Sequence, residues 1–202
     1  KQACQQLKIW QSYDKNSETH NVKIGYNCPL TMSVNLSSQQ LVQPNILEKI
    51  DQILEETDCD PHCLKLEITE SVIMKNFQAS TVVLEELRRR GIQLSIDDFG
   101  TGYSSLSYLH QFPINTLKID QSFVRRLQLE NSPDSEKSSQ KIQIIRAIVT
   151  LAHNLDLDVI AEGIETVEQM QLLQELDCEM GQGYLFSKPL NCEQATQFLL
   201  NS

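Results

Sequence analysis

Residues 96–103, Ile-Asp-Asp-Phe-Gly-Thr-Gly-Tyr, set two adjacent carboxylates at the end of an apolar run, followed by two closely spaced glycines. Two acids at a strand end, held by a glycine-rich loop, can collect hard divalent cations. Side chains alternate along a strand, so Asp97 and Asp98 face the same way only if the strand ends there, and glycine gives the backbone the freedom to end it. A plainer reading makes either acid a helix cap or a turn residue. Against that, the pattern recurs. Asn35 lies in Val-Asn-Leu-Ser, Glu67 in Leu-Glu-Ile-Thr-Glu, Lys118 in Leu-Lys-Ile-Asp, Glu162 in Ala-Glu-Gly-Ile-Glu-Thr and Gln182 in Gly-Gln-Gly-Tyr. Glu67, Asp97, Asp98 and Glu162 would repel one another at one mouth, with Lys118 offsetting a single charge. Such crowding raises carboxylate pKa values, and divalent cations relieve it. Oxygen donors and an amide, without His or Cys, suit Mg²⁺ or Mn²⁺ rather than Zn²⁺. Two cations bridged by a carboxylate suit in-line cleavage of a phosphodiester.

The elements that must position these groups alternate in type. Helical spacing is read over residues 1–10, 46–57, 77–90, 141–155, 167–176 and 192–200, with a helical turn at 104–109. Strands are read at 30–35, 64–69, 92–97, 116–119, 158–161 and 183–186. Strands alternating with helices imply parallel βαβ units, hence an α/β fold. No Gly-x-Gly-x-x-Gly follows the first strand, so a dinucleotide fold gets no support. A TIM-like (β/α)₈ barrel brings its strand ends to one mouth, as the polar residues require. Six strands fall short of eight, and the first helix has no start signal. The expectation is therefore a barrel whose first two strands lie upstream of Lys1, in a single domain over 1–202. Residues 125–140 are polar and contain Pro133, and read as a mobile connection.

The chain has 202 residues, enough for one domain with a substantial core. Its net charge of −10 argues against nonspecific binding to DNA or an anionic membrane. No apolar run has the length of a membrane span, and no signal peptide is visible. The six scattered cysteines fit reduced thiols of the cytoplasm better than a disulfide framework. Cys59, His62 and Cys63 offer three possible zinc ligands but no second cluster, and read as a surface loop.

Taken together, Val34–Ser37 (VNLS), Leu66–Ser71 (LEITES), Ile96–Leu106 (IDDFGTGYSSL), Leu117–Asp120 (LKID), Ala161–Thr166 (AEGIET) and Gly181–Pro189 (GQGYLFSKP) resemble the EAL domain, a cyclic di-GMP phosphodiesterase family, in family order and over nearly the whole chain. The resemblance implies a modified barrel with one antiparallel strand near its start. It implies hydrolysis of cyclic di-GMP to linear pGpG in bacterial second-messenger signalling, with two Mg²⁺ or Mn²⁺ ions per site. Asn35, Glu67 and Asp97 then become metal ligands. Asp97 bridges the two ions, and Asp98 binds the second. Lys118 holds the attacking water, Glu162 completes the network as a general base, and Gln182 positions water or substrate. Glu70 anchors the loop after Asp98. A homodimer through that loop, and upstream sensory or GGDEF domains, are implied as partners.

The Glu-Ala-Leu motif and the arginine after it are not in the sequence. They are expected about 50 residues' worth of chain upstream, given two strands and their connections. Turnover by these 202 residues alone depends on that segment. The alternative function is an inactive EAL domain acting as a cyclic di-GMP receptor or a protein-interaction module. Glu165 competes with Glu162 as the functional glutamate. Asp120 reads as a helix cap, and Ser104 and Ser105 as helix-start residues. His20, His62, His110 and His153 fall in no shared motif.

Overall fold

The computed structural model describes residues 1–15, 30–75, 77–101, 109–125, 127 and 135–201. The helical turn expected at 104–109 lies almost wholly outside these, as do Ser104, Ser105, His20 and most of the loop expected at a dimer interface.

Six strands form one sheet in chain order: β1 (Met32–Asn35), β2 (Leu64–Thr69), β3 (Gln93–Phe99), β4 (Thr116–Ile119), β5 (Asp158–Glu162) and β6 (Met180–Gln182). Every neighbouring pair is parallel. The antiparallel strand that the family resemblance implies is not among them. The helices are α1 (Gln2–Lys15), α2 (Ser38–Leu41), α3 (Ile46–Thr57), α4 (Glu70–Lys75), α5 (Phe77–Arg89), α6 (Gln121–Val124), α7 (Ser135–Asn154), α8 (Val167–Glu175) and α9 (Cys192–Asn201). The result is a curled, TIM-like half-barrel. Among the described residues, no helix is long and apolar enough to cross a membrane.

Strand alternation sorts the side chains. On β2, Leu64, Leu66 and Ile68 join the apolar core, while Lys65 and Glu67 belong to the opposite set. On β3, Leu94 and Ile96 alternate with Ser95 and Asp97, and on β4, Leu117 and Ile119 alternate with Thr116 and Lys118. The apolar set packs beneath the helices through Leu84, Leu87, Ile145, Val149 and Leu173. The polar set is left for the inside of the curl. Burying these leucines and isoleucines contributes about 1.5–3 kcal/mol each, which offsets the cost of lining the interior with polar groups. The first and last helices meet across the open side: Trp10 Nε1 donates to Thr196 Oγ1 at 2.8 Å, and Cys192 Sγ donates to Gln6 Oε1 at 2.8 Å.

Four expectations change. Helix α1 runs to Lys15, five residues beyond the reading of 1–10. Helix α7 starts at Ser135, so the mobile connection expected over 125–140 is helical in its last part. Glutamate, lysine and glutamine in that stretch favour helix. The strand expected at 183–186 is a turn, and β6 lies just before it at Met180–Gln182. Phe186 N and Ser187 N donate back to the carbonyl of Gly183, while Leu185 N reaches Ile164 O. A Cβ on Gly183 would sit 2.1 Å from the Ile164 carbonyl oxygen, so no other residue lets the two chains pass. Gly183→Ala is accordingly expected to lower stability by about 2 kcal/mol or more, read from denaturant unfolding. Finally, β3 does not stop at Asp97.

Candidate functional site

β3 continues to Phe99 because its register shifts between Ile96 and Phe99, a bulge on which Asp98 takes a left-handed backbone with φ 54°. A bulge inserts a residue and re-aims the side chains around it. Two adjacent acids can therefore serve one mouth without the strand ending. Asp97, Asp98 and Glu162 each bring a carboxylate oxygen within 4.8 Å of the others.

Lys118 stands at the centre. Its ammonium lies 2.6 Å from Glu162 Oε1, 2.8 Å from Glu67 Oε2 and 3.0 Å from Asp97 Oδ1, so it links β4 to β5, β2 and β3. The side chain is only 4% exposed. Burial alone would lower its pKa, but the three carboxylates of Glu162, Glu67 and Asp97 around it outweigh that and hold the ammonium well above the usual lysine value. Asp97 Oδ1 accepts no hydrogen bond despite its burial, so the contact with Lys118 is close but poorly aligned.

The acids carry the strain of crowding. Burial pushes Asp98 up from the usual carboxylate range, and the charges of Asp97 and Asp120 push it further. Burial also raises Glu162, against the lowering effect of Lys118 and with the help of Asp97 and Glu67. Gln182 Nε2 donates to Glu162 Oε1 at 2.7 Å, from the neighbouring strand where Glu162 and Gln182 are in register. The loop after Glu162 is fixed by a capping box: Gln169 Oε1 accepts from Glu165 N and Thr166 N, and Thr166 Oγ1 accepts from Gln169 N.

Asn35 ends β1 in register with Glu67 and is exposed. Glu70 is buried at the start of α4, and its Oε2 accepts from Gly100 N at 3.3 Å, which ties the chain after Asp98 to β2's end. Glu165 stands apart from the cluster and pairs with Arg125 at 3.3 Å. Asp120 caps α6 through Ser122 N at 2.9 Å, as its position suggested. It is also buried and close enough to hydrogen-bond Asp98. That second role is not visible in a capping motif. Cys59 and Cys63 are buried rather than in a surface loop, and burial pushes the Cys59 thiol up to about 12. They join no metal-ligating group of three among the described residues.

A cavity of about 360 Å³ opens beside the cluster, lined by Gln121, Arg125, Glu162, Gln182, Tyr184 and Lys188 among others. Two cationic side chains and an aromatic ring share it with Glu162 and Glu165, the latter paired with Arg125. Lys65, on the same face of β2 as Glu67, is buried and donates to Thr116 Oγ1 at 3.0 Å. Sequence reading overlooks it, although a lysine two residues before Glu67 on a strand must share its face.

Comparison with known proteins agrees with this geometry. The family model described as EAL domain matches residues 1–189. The chain is 42% identical over 199 residues to the signaling protein YkoW of Bacillus subtilis, covering 98% of this chain and 22% of that protein. It is 37% identical over 193 residues to MucR of Pseudomonas aeruginosa, named a bifunctional diguanylate cyclase/cyclic di-GMP phosphodiesterase, covering 96% of this chain and 25% of that protein. Against a solved structure of PaMucR phosphodiesterase in a c-di-GMP complex the TM-score is 0.81 at 36% identity, covering 96% of this chain and 70% of that one. The chain thus spans a quarter or less of these two curated relatives and about 70% of the solved PaMucR chain. The chain belongs to the EAL domain family.

Proposed function

We propose that this domain hydrolyses one phosphodiester of cyclic di-GMP to give linear pGpG. The observation that carries the reading is the cluster of Glu67, Asp97, Asp98 and Glu162 around the buried ammonium of Lys118, at the ends of parallel strands.

The residues fit divalent cations. Asp97 Oδ1 is buried without a hydrogen-bond donor, Asp98 and Glu162 are raised by crowding and burial, and the donor set is all oxygen. Asn35, Glu67, Asp97 and Asp98 would hold the Mg²⁺ or Mn²⁺ ions. When bound, such ions supply Lewis acidity and charge neutralisation at the scissile phosphate. The protein's own groups do the rest. Lys118 donates to the attacking water and fixes its direction. Glu162, made more basic by burial and steadied by Gln182, takes the water's proton as the new oxygen–phosphorus bond forms. The bond to the ribose O3′ breaks, and that proton passes on to the leaving oxygen. Glu70, through Gly100, holds the segment carrying Asp98 in register.

In the adjoining cavity Lys188 suits a phosphate and Tyr184 a purine, while Arg125 is shared with Glu165 on the same wall. The naming of MucR, which joins a cyclase to a phosphodiesterase, supports an upstream GGDEF or sensory region. A homodimer and a cytoplasmic setting complete the proposal, since the substrate is a soluble bacterial messenger.

The test is incubation of the full-length parent protein with cyclic di-GMP and Mn²⁺, beside its Glu67→Ala variant. Linear pGpG from the parent and a loss of about 10³-fold in the variant are expected. Tight binding of the dinucleotide by the parent, without cleavage, would instead establish the receptor reading.

A further inference from the structure

Polar side chains continue across the inner face from the cluster. Register places Glu67 on β2, Ser95 on β3, Thr116 on β4 and Asp158 on β5 in one row across the sheet. Lys65 sits one pleat below Glu67, about 7 Å along the strand, on the same face. Its ammonium nevertheless reaches Thr116 on β4, 3.0 Å away, so the side chain crosses the whole width of β3. It can do so because the residue in between is Ser95, whose small side chain is 1% exposed and whose hydroxyl has no hydrogen-bond partner. Two lysines are therefore stacked inside the curl. Lys118 ties three carboxylates at the mouth, and Lys65 straps β2 to β4 underneath. Lys65 is 8% exposed; burial lowers its pKa from the usual lysine value, the carboxylates of Asp158 and Glu67 oppose that, and the ammonium of Lys118 adds to it.

A cation in this place is not needed to hold the sheet, since Leu or Val fills such positions without the cost of burying a charge. It does act on everything above it, because charges in a poorly screened interior interact strongly over such distances. We propose that Lys65 is a positioning residue that restrains cation uptake by the site. Its charge draws the Glu67 carboxylate downward and opposes the arrival of further positive charge above. The site then releases ions that a bare acid cluster would retain. This inference rests on the metal-dependent reading of the mouth.

The experiment is Mn²⁺ titration of the purified protein by calorimetry, with the free ion followed by its paramagnetic resonance, so that no turnover is needed. Lys65→Gln removes the charge but leaves an amide able to donate to Thr116; Lys65→Arg retains the charge. The expected result is roughly tenfold tighter Mn²⁺ binding in Lys65→Gln and parental affinity in Lys65→Arg. A purely structural strap would alter the unfolding midpoint and leave the Mn²⁺ affinity alone. If Lys65→Gln does not fold, Asp158→Asn takes its place. That change leaves Lys65 with one counter-charge fewer, and weaker Mn²⁺ binding is expected. Unchanged or weaker binding in a folded Lys65→Gln, or unchanged binding in Asp158→Asn, would overturn the role. Absence of Mn²⁺ uptake by the parent would remove the metal reading itself and this role with it, an outcome distinct from uptake that ignores Lys65.

Discussion

Replacing Lys118 with Met is expected to lower the stability of the protein in chelator by about 3–5 kcal/mol and to reduce hydrolysis by about 10³-fold. The ammonium touches Glu162, Glu67 and Asp97 at 2.6, 2.8 and 3.0 Å, in a pocket where water does little screening. Removing it leaves three carboxylates facing one another, with the cost that attends any buried charge deprived of its partner. Mn²⁺ binds the folded chain and supplies the missing positive charge, so it is expected to restore more stability to the variant than it adds to the parent. Urea unfolding of both proteins, each in chelator and in Mn²⁺, measures all four values. Equal stabilisation of the two by Mn²⁺ would mean that the ion and the ammonium do not answer the same charges. The loss of turnover should persist in saturating Mn²⁺, because the ion cannot replace a hydrogen-bond donor aimed at the water.

Asp97→Asn is expected to do the reverse to stability while damaging turnover by about 10²–10³-fold. The side chain keeps its shape and loses its charge. Oδ1 of Asp97 accepts no hydrogen bond, and its pairing with Lys118 is off line. Against that small loss, the substitution relieves Asp98 and Glu162 of a like charge that pushes both upward. Stability in chelator should be unchanged or rise, since Lys118 keeps Glu67 and Glu162 as partners, while the Mn²⁺-induced rise in melting temperature should shrink. A pronounced loss of stability in chelator would show that Asp97 anchors Lys118 and that the hydrogen-bond geometry understates the pair. The two variants together separate a group that holds the site closed from one that keeps it charged.

Much of this site could be read from residue order, because parallel strands bring residues at equivalent positions to one end. Glu67, Asp97, Lys118 and Glu162 each alternate with apolar residues in a short strand-like run, and the curl of the sheet does the rest. What residue order hides is contact between strands that are not neighbours. Lys118 reaches from β4 back to β2, and Lys65 from β2 forward to β4; neither follows from local pattern. Asp98 shows a different limit. Strand alternation correctly forbids two adjacent acids from sharing a face, and the chain meets the conflict by a left-handed residue within the strand rather than by ending it. The misplaced last strand is a third case. Tyr184 and Phe186 have the composition of a strand, but the close passage of Ile164 past Gly183 folds that segment into a turn. Asp120 is recognisable as a cap from its place before α6, whereas its effect on Asp98 depends on how far β3 bulges.

The seam between α1 and α9 equips the molecule with an optical probe of its own. The chain has one tryptophan, and its indole nitrogen donates to Thr196, 186 residues away. Ultraviolet emission from this protein therefore comes chiefly from a fluorophore at the junction of its first and last helices. A shift of that emission toward longer wavelength reports water entering the seam, whatever the state of the sheet. Followed beside far-ultraviolet circular dichroism, it distinguishes a curl that springs open at its edges from one that melts throughout.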